Sequence, residues 1–412
     1  TTILRTESQK DIQLALENVF VDLKKKTFQL GDLQLQTKDI DIPLDNGFYR
    51  LKIGGLDLRK SGLRLDHVHL VSPYSKMEFA YKQPKHQDWF DVKVGNVRLT
   101  DVDIPGYFST KELHVGGLWI NDVLLQNLKN RKIPVEPHIV PMIYEGLQKA
   151  PVRFKIDTAS VANFSVVYEE LPVKGDKLGK LGKLYFTDMN GQFSGLTNIV
   201  SYPEQFITLH ADGNLMGSGH FTATWQLPVD SLYDRFLLDA RLDSLDLLSL
   251  NEIVKPLAPA EVVSGWAQDV VFHMDASSRK GRIRLDFPYR KLKVALLKEK
   301  DGETTQKGFL SRLANLVLRD NNPAHPERKD SKLRKVDMEI VRDPYHSTFN
   351  YLWQMLRPAL VESVGVSKKE QDAALKVAGF FTKVKRFFGL DKKKDKREEI
   401  DTNNKEIEPL KE

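Results

Sequence analysis

Two histidines, His67 and His69, flank a single valine, and on a β-strand residues i and i+2 point to one face. Two imidazoles so placed begin a metal site, but zinc needs a third protein ligand even where water takes the fourth position. No carboxylate or histidine at a telling spacing supplies one, so the pair reads as polar side chains facing solvent opposite Val68 and Leu70. Asp39 with Asp41, and Asp101 with Asp103, likewise alternate with apolar residues and are expected to face water. Gly217-Ser218-Gly219-His220 fails both the dinucleotide fingerprint and the nucleophile elbow, and reads as a turn between strands. The sequence contains no phosphate-binding Gly-x-x-x-x-Gly-Lys-Ser/Thr loop and no His-Glu-x-x-His. With Cys 0, thiolate sites, cysteine nucleophiles and disulfides are excluded. The residues therefore predict a protein without catalytic residues, metal or cofactor.

What the sequence does repeat is a strand motif: apolar, Gly or Asp, any residue, apolar, any residue, apolar. It occurs as Leu30-Gly31-Asp32-Leu33-Gln34-Leu35, Ile53-Gly54-Gly55-Leu56-Asp57-Leu58 and Leu65-Asp66-His67-Val68-His69-Leu70. It returns as Val94-Gly95-Asn96-Val97-Arg98-Leu99 and Val115-Gly116-Gly117-Leu118-Trp119-Ile120, and more weakly from Ile156 to Val161. Alternation before each copy, as in Leu51-Lys52-Ile53, marks a strand with one buried face. The next apolar residue then comes three positions on, which reverses the alternation. A β-bulge or kink that absorbs one extra residue would do this, with glycine accepting the unusual backbone angles. Gly54, Gly95 and Gly116 are thus expected at bulges or bends. The spacing of copies is irregular, so no strict solenoid is expected.

Strand patterning continues to about residue 295, punctuated by turn formers at Asp45-Asn46-Gly47, Asp212-Gly213-Asn214 and Arg279-Lys280-Gly281. Short helices are expected within Pro137–Lys149 and Asp246–Lys255, and loops at 299–308 and 320–332. Helical character begins at Tyr345, and Pro358 should break or kink the apolar stretch Thr348–Val364. The expected fold is mainly β: an elongated, curved antiparallel sheet of strand-kink-strand units forming an open groove, with few short helices and a C-terminal amphipathic helix. Four regions follow from the pattern: 1–170 and 171–345 as β regions, 346–390 as a helical segment, and 391–412 as a charged tail too polar to fold alone.

The amphipathic helix is read from Val377, Phe380, Phe381, Val384, Phe387 and Phe388, which share one helical face beside Lys376, Lys383, Lys385 and Arg386. Such a face suits an anionic membrane interface, and it equally suits a cover for the end of the β structure. The chain of 412 residues has Lys+Arg 62 against Asp+Glu 56, a near-balance that does not suit a dedicated nucleic-acid binder. No apolar run reaches the roughly 18 residues of a membrane span. The chain opens Thr1-Thr2, a start uninformative about targeting.

Three stretches resemble the AsmA-like family of bacterial envelope proteins, itself similar to the TamB and bridge-like lipid-transfer families. They are the repeats of residues 28–120, the run Ala150–Asp157 continuing to Val166-Val167-Tyr168-Glu169-Glu170, and Leu245–Asn251 through Ser264-Gly265-Trp266 to Tyr289–Val294. The resemblance implies a long curved sheet with an apolar groove, projecting into the periplasm and anchored to the inner membrane by an N-terminal helix that this span does not include. It offers no catalytic motif to carry over. The expected function is lipid binding or transfer in support of outer-membrane biogenesis, with phospholipid or another envelope lipid and a membrane surface as partners. Leu56, Leu58, Val68, Leu70, Val97, Leu99, Leu118 and Ile120 are the expected lipid-binding residues. A scaffold or assembly factor for outer-membrane proteins, recruiting strands at an open edge, is the alternative; an unrecognised hydrolase is a third.

Overall fold

The computed structural model describes residues 2–6, 9–17, 20–22, 27–29, 31–44, 47–82, 87–130, 133, 138–171, 181–229, 234–258, 260–299, 310–316 and 319–365. Thr1–Gly365 forms one compact unit. The expected amphipathic helix, with Val377, Phe380, Phe381, Val384, Phe387 and Phe388, lies outside the described residues, as does the charged tail.

The compact unit is mainly β. Its N-terminal strands are β1 (Thr2–Thr6), β2 (Gln9–Glu17), β3 (Phe20–Asp22), β4 (Thr27–Gln29), β5 (Asp32–Leu44), β6 (Tyr49–Arg59), β7 (Gly62–Val71), β8 (Trp89–Val102), β9 (Glu112–Asn130) and β10 (Arg153–Leu171). They are followed by β11 (Gly182–Thr197), β12 (Phe206–Leu215), β13 (Gly219–Pro228), β14 (Arg235–Asp246), β15 (Ala260–Ser277), β16 (Lys280–Asp286), β17 (Tyr289–Glu299), β18 (Leu310–Leu316) and β19 (Lys335–Val341). Apart from the small β3–β4 pair, these strands make one long sheet that does not close into a barrel.

Neighbours in sequence are mostly neighbours in the sheet. From β1 to β2, β5 and on to β9 each strand pairs antiparallel with the next. From β10 to β15 the same holds. The two runs join through β9 and β10, which pair in parallel over their whole lengths, Arg153 opposite Glu112 through Leu171 opposite Asn130. The sheet is therefore mixed rather than purely antiparallel. A parallel pair cannot be closed by a hairpin, and the crossover here contains helix α3 (Ile143–Gln148). At β15 the sheet forks: one end of that strand pairs with β17 and then β18, the other with β16 and then β19.

Helices cover parts of the sheet. Helix α1 (Lys76–Lys82) buries Phe79 and Ala80 against Tyr49, Trp89, Leu128 and Leu171. Ser75 and Glu78 start it as a reciprocal capping box, the Ser75 N–H donating to the Glu78 carboxylate at 3.0 Å and the Glu78 N–H to the Ser75 hydroxyl at 3.4 Å. Helix α2 (Ile104–Thr110) begins at Asp103, whose carboxylate accepts the Gly106 N–H at 2.9 Å. Neither helix was expected, although Ser-x-x-Glu and Asp-x-Pro are start signals visible in the sequence. The stretch Asp246–Lys255 folds as a 3-10 turn, Leu247–Leu250, running into α4 (Asn251–Leu257).

The expected break at Pro358 does not occur. Helix α5 (Thr348–Val364) runs through the proline unbroken. Tyr351 and Met355 before it, and Ala359 and Ser363 after it, are all 0% exposed, so packing on both sides holds the helix together despite the missing N–H. Helix α5 lies on β16 and β19. Arg342 ties its start to the preceding crossover, donating to Val140 O at 2.7 Å and His346 O at 3.2 Å. Asp212-Gly213-Asn214, expected as a turn, instead continues β12.

Candidate functional site: one apolar face of the sheet

Directly opposed residues in a sheet share a face, so the register shows what each face carries. Leu35 of β5 is opposite Leu58, Leu58 opposite Leu63, Leu63 opposite Leu99, and Leu99 opposite Leu118. The row goes on through Ala159, Phe193, Leu209, Trp225, Leu238, Met274 and Ile283 to Met338 of β19. Two residues along each strand, a second row runs Thr37, Leu56, Leu65, Val97, Ile120, Val161, Gly191, Ala211, Ala223, Ala240, Phe272, Leu285 and Val336.

The residues between these rows point to the other face. They read Gln36, Asp57, Arg64, Arg98, Trp119, Ser160, Gln192, His210, Thr224, Asp239, His273, Arg284 and Asp337. One face is thus apolar from β5 to β19 and the other polar. Ion pairs on the polar face hold Asp57 and Asp337 charged. The Arg59 guanidinium keeps Asp57 below the usual carboxylate range, and Arg282, 2.6 Å from Asp337, does the same there.

Cover on the apolar face is uneven. At the C-terminal end Leu238, Met274, Ile283, Leu285 and Val336 are buried in one core with Tyr351, Met355 and Ala359 of α5. In the N-terminal half Leu35, Leu56, Leu58, Leu63, Leu65, Val97, Leu99, Leu118 and Ile120 are all half-buried. Helix α1 packs at the far ends of β8 and β9, against Trp89 and Leu128, while α2 links the near ends of these strands and touches β9.

The structure places the expected lipid-binding residues in two groups. Leu56, Leu58, Val97, Leu99, Leu118 and Ile120 fall in the two rows. Val68 and Leu70 do not; Val68 pairs with Ile53 and Val94, and Leu70 with Leu51 and Val92. The motif recurs in the same chain direction on antiparallel neighbours, so equivalent motif positions on β6 and β7 land at opposite ends. The residues that fill the rows on β7 are Leu63, outside the motif copy, and Leu65, its first residue, neither of them among the expected lipid-binding residues. Beyond the kink, rows continue as Ile40, Ile53, Val68, Val94 and Val123, and as Ile42, Leu51, Leu70, Val92 and Leu125. Thr37 and Ile40, three apart on β5, are 8% and 7% exposed, as a reversal of the alternation between them requires.

The kink itself differs from the expectation. At Gly54, Gly95 and Gly116 the ladder is interrupted, but the register does not shift. Gly55 opposes Asp66 and Ile53 opposes Val68, so both strands pass over one residue together. No extra residue is absorbed. Nor do these glycines take left-handed angles. The residues opposite them do: Asp39 and His67 at φ 53 beside Gly54, Asp122 at φ 59 beside Gly95, and Asp101 at φ 52 beside Gly116. Glycine supplies room instead. A Cβ at Gly54 would sit 3.1 Å from the His67 Cβ, at Gly95 2.9 Å from the Asp122 Cβ, and at Gly116 2.8 Å from the Asp101 Cβ. The kink line carries on to Asn163 and Asp188, where the register does shift. Asp and Asn favour this backbone region, a signal the sequence held in Asp39, Asp122, Asn163 and Asp188.

His67 and His69 are not a metal pair in this geometry. His67 is an exposed left-handed kink residue, and the His69 Nε2 meets Asp91 at 3.0 Å. Among the described residues no group of three or more His, Asp or Glu is placed to hold a metal. Asp39, Asp41, Asp101 and Asp103 are exposed as expected. A shallow cleft of about 560 Å3 follows the kink line past Asp39, Lys52, Gly54, His67, Lys93 and Asp122. A smaller one of about 270 Å3 is lined by Arg64, Asn96, Arg98 and Asn121.

No protein-family model matches the chain, and no curated protein matches it. The resemblance to AsmA-like proteins therefore rests on the sequence motifs alone. No described helix is long and apolar enough to cross a membrane.

Proposed function

We propose that this chain is a non-enzymatic lipid-binding protein of a bacterial cell envelope, holding acyl chains on the uncovered part of its apolar face. The observation that carries the reading is the pair of largely apolar rows, packed under α5 at one end and half-buried across β5–β9. Apolar surface left in water costs about 25 cal/mol per Å2, so a ligand that covers it is stabilised in proportion. From β5 to β9 the sheet order is four steps, or roughly 20 Å at strand spacing. That exceeds the ~15 Å hydrocarbon depth of one leaflet, so whole acyl chains fit along the rows. Phospholipid or a similar envelope lipid is the proposed ligand, and transfer in support of outer-membrane biogenesis the proposed role.

The test is mass spectrometry of lipids extracted from purified protein. Near-stoichiometric phospholipid is expected, falling several-fold in Leu56→Asp and Leu118→Asp variants that keep the wild-type circular dichroism. Lipid-free folded protein would sink the proposal. A stable outer-membrane partner recovered without lipid would favour an assembly role instead.

A further inference from the structure

The polar face carries one arrangement that its own ion pairing does not explain. Elsewhere on this face, arginines meet carboxylates on the neighbouring strand, as Arg235 meets Asp275 at 2.7 Å, Arg241 meets Asp269 at 2.6 Å, and Arg282 meets Asp337 at 2.6 Å. On β7 and β8 an arginine directly opposes an arginine, Arg64 against Arg98. Like charges in this position destabilise a sheet. Arg64 engages Asp66 through Nε alone, 3.0 Å from each carboxylate oxygen, so its Nη groups remain as donors. Arg98 lies over the Trp119 ring, 4.6 Å from the centroid, and has no carboxylate partner among the described residues. Beside them the Asn121 Nδ2 donates to the Asn96 Oδ1 at 2.9 Å, which leaves the Asn96 amide N–H groups as further donors. These four residues line the cleft of about 270 Å3, and no carboxylate lines it.

We propose that Arg64, Asn96, Arg98 and Asn121 form a binding site for a phosphoryl group, carried by a free phosphate ester or by a lipid headgroup. Two planar guanidinium forks match the oxygen spacing of phosphate and bind it bidentately, which a single lysine charge would not. A phosphoryl group supplies the anionic partner that Arg98 lacks, and its further oxygens can accept from the Arg64 Nη groups and the Asn96 amide. Stacking on Trp119 holds the Arg98 fork in place before the ligand arrives. The site lies on the face opposite the apolar rows and does not rest on the acyl-chain reading.

Trp119 provides the readout, because an anion that engages Arg98 changes the charge lying on its ring. Inorganic phosphate is titrated at constant ionic strength, with chloride as the control, and indole emission is followed together with calorimetric heat. A saturable phosphate response is expected. Trp119→Phe should remove the optical change and keep the heat. Arg98→Gln should weaken binding at least about tenfold, the loss expected for hydrogen bonds to a charged group. A second arm measures flotation with mixed phosphatidylcholine–phosphatidic acid vesicles. Phosphate binding without vesicle binding assigns a free ester, and vesicle binding lost in the Arg64→Gln/Arg98→Gln double variant assigns a headgroup. A response matched by chloride, or unchanged in a double variant with wild-type circular dichroism, would overturn the proposal.

Discussion

Leu99 and Ile283 belong to the same apolar row, yet a carboxylate placed at each should have very different consequences. Ile283 is 0% exposed, sits between Met274 and Met338 on the adjoining strands, and lies in one core with Met355 of α5. In Ile283→Asp the new carboxylate is buried without a partner and the isoleucine contacts are lost, a cost of about 5 kcal/mol or more. Leu99 lies between Leu63 and Leu118 and is half-buried with water at hand. In Leu99→Asp the carboxylate stays hydrated and the loss is that of two cross-strand pairs, about 1–2 kcal/mol in total. For the unit Thr1–Gly365 the unfolding entropy is on the order of 0.75 kcal/mol per degree, so 1 kcal/mol moves Tm by about 1.3 °C. Leu99→Asp should therefore lower Tm by about 1–3 °C, and Ile283→Asp by about 7 °C or abolish folding. Scanning calorimetry on delipidated protein measures both. Equal losses at the two positions would mean that the N-terminal rows are as fully covered as the C-terminal ones, and the reasoning from an open face would fail.

Two further outcomes follow from local geometry. Gly95→Ala should cost about 1–3 kcal/mol, because its Cβ would lie 2.9 Å from that of Asp122, and Asp122→Gly in the same background should recover most of the loss in urea unfolding. Burial raises the pKa of Asp234, whose Oδ1 lacks a partner while a second oxygen accepts the Glu145 N–H at 3.0 Å. Since the folded-state pKa lies above the unfolded one, this group destabilises the fold as pH rises through that window and has no effect below the unfolded pKa. Asp234→Asn should accordingly raise Tm at pH 7 and lose its advantage towards pH 3; a gain of equal size at both would refute the cause.

The residues of the chain by themselves determined the strand character, the repeat and the amphipathic faces. Side-chain alternation is a property of an extended backbone, and Leu56-Asp57-Leu58 or Val97-Arg98-Leu99 displays it before any neighbour is known. The steps of three that reverse the alternation were legible too. Their mechanism was not, because it is divided between strands: Gly54 is small so that His67, on the next strand, can turn left-handed. Register likewise needs two strands, which is why Leu63 and Leu65 were missed while Val68 and Leu70 were placed with Leu56. The parallel joint of β9 with β10 and the unbroken passage of α5 through Pro358 are decided by packing, and propensity says nothing of the first and the wrong thing of the second. Only the tertiary structure decided where the apolar face is covered. Hydrophobic patterning states which side of a strand avoids water, but what shields it comes from segments far away in the chain, as Met355 of α5 joins the core that buries Ile283.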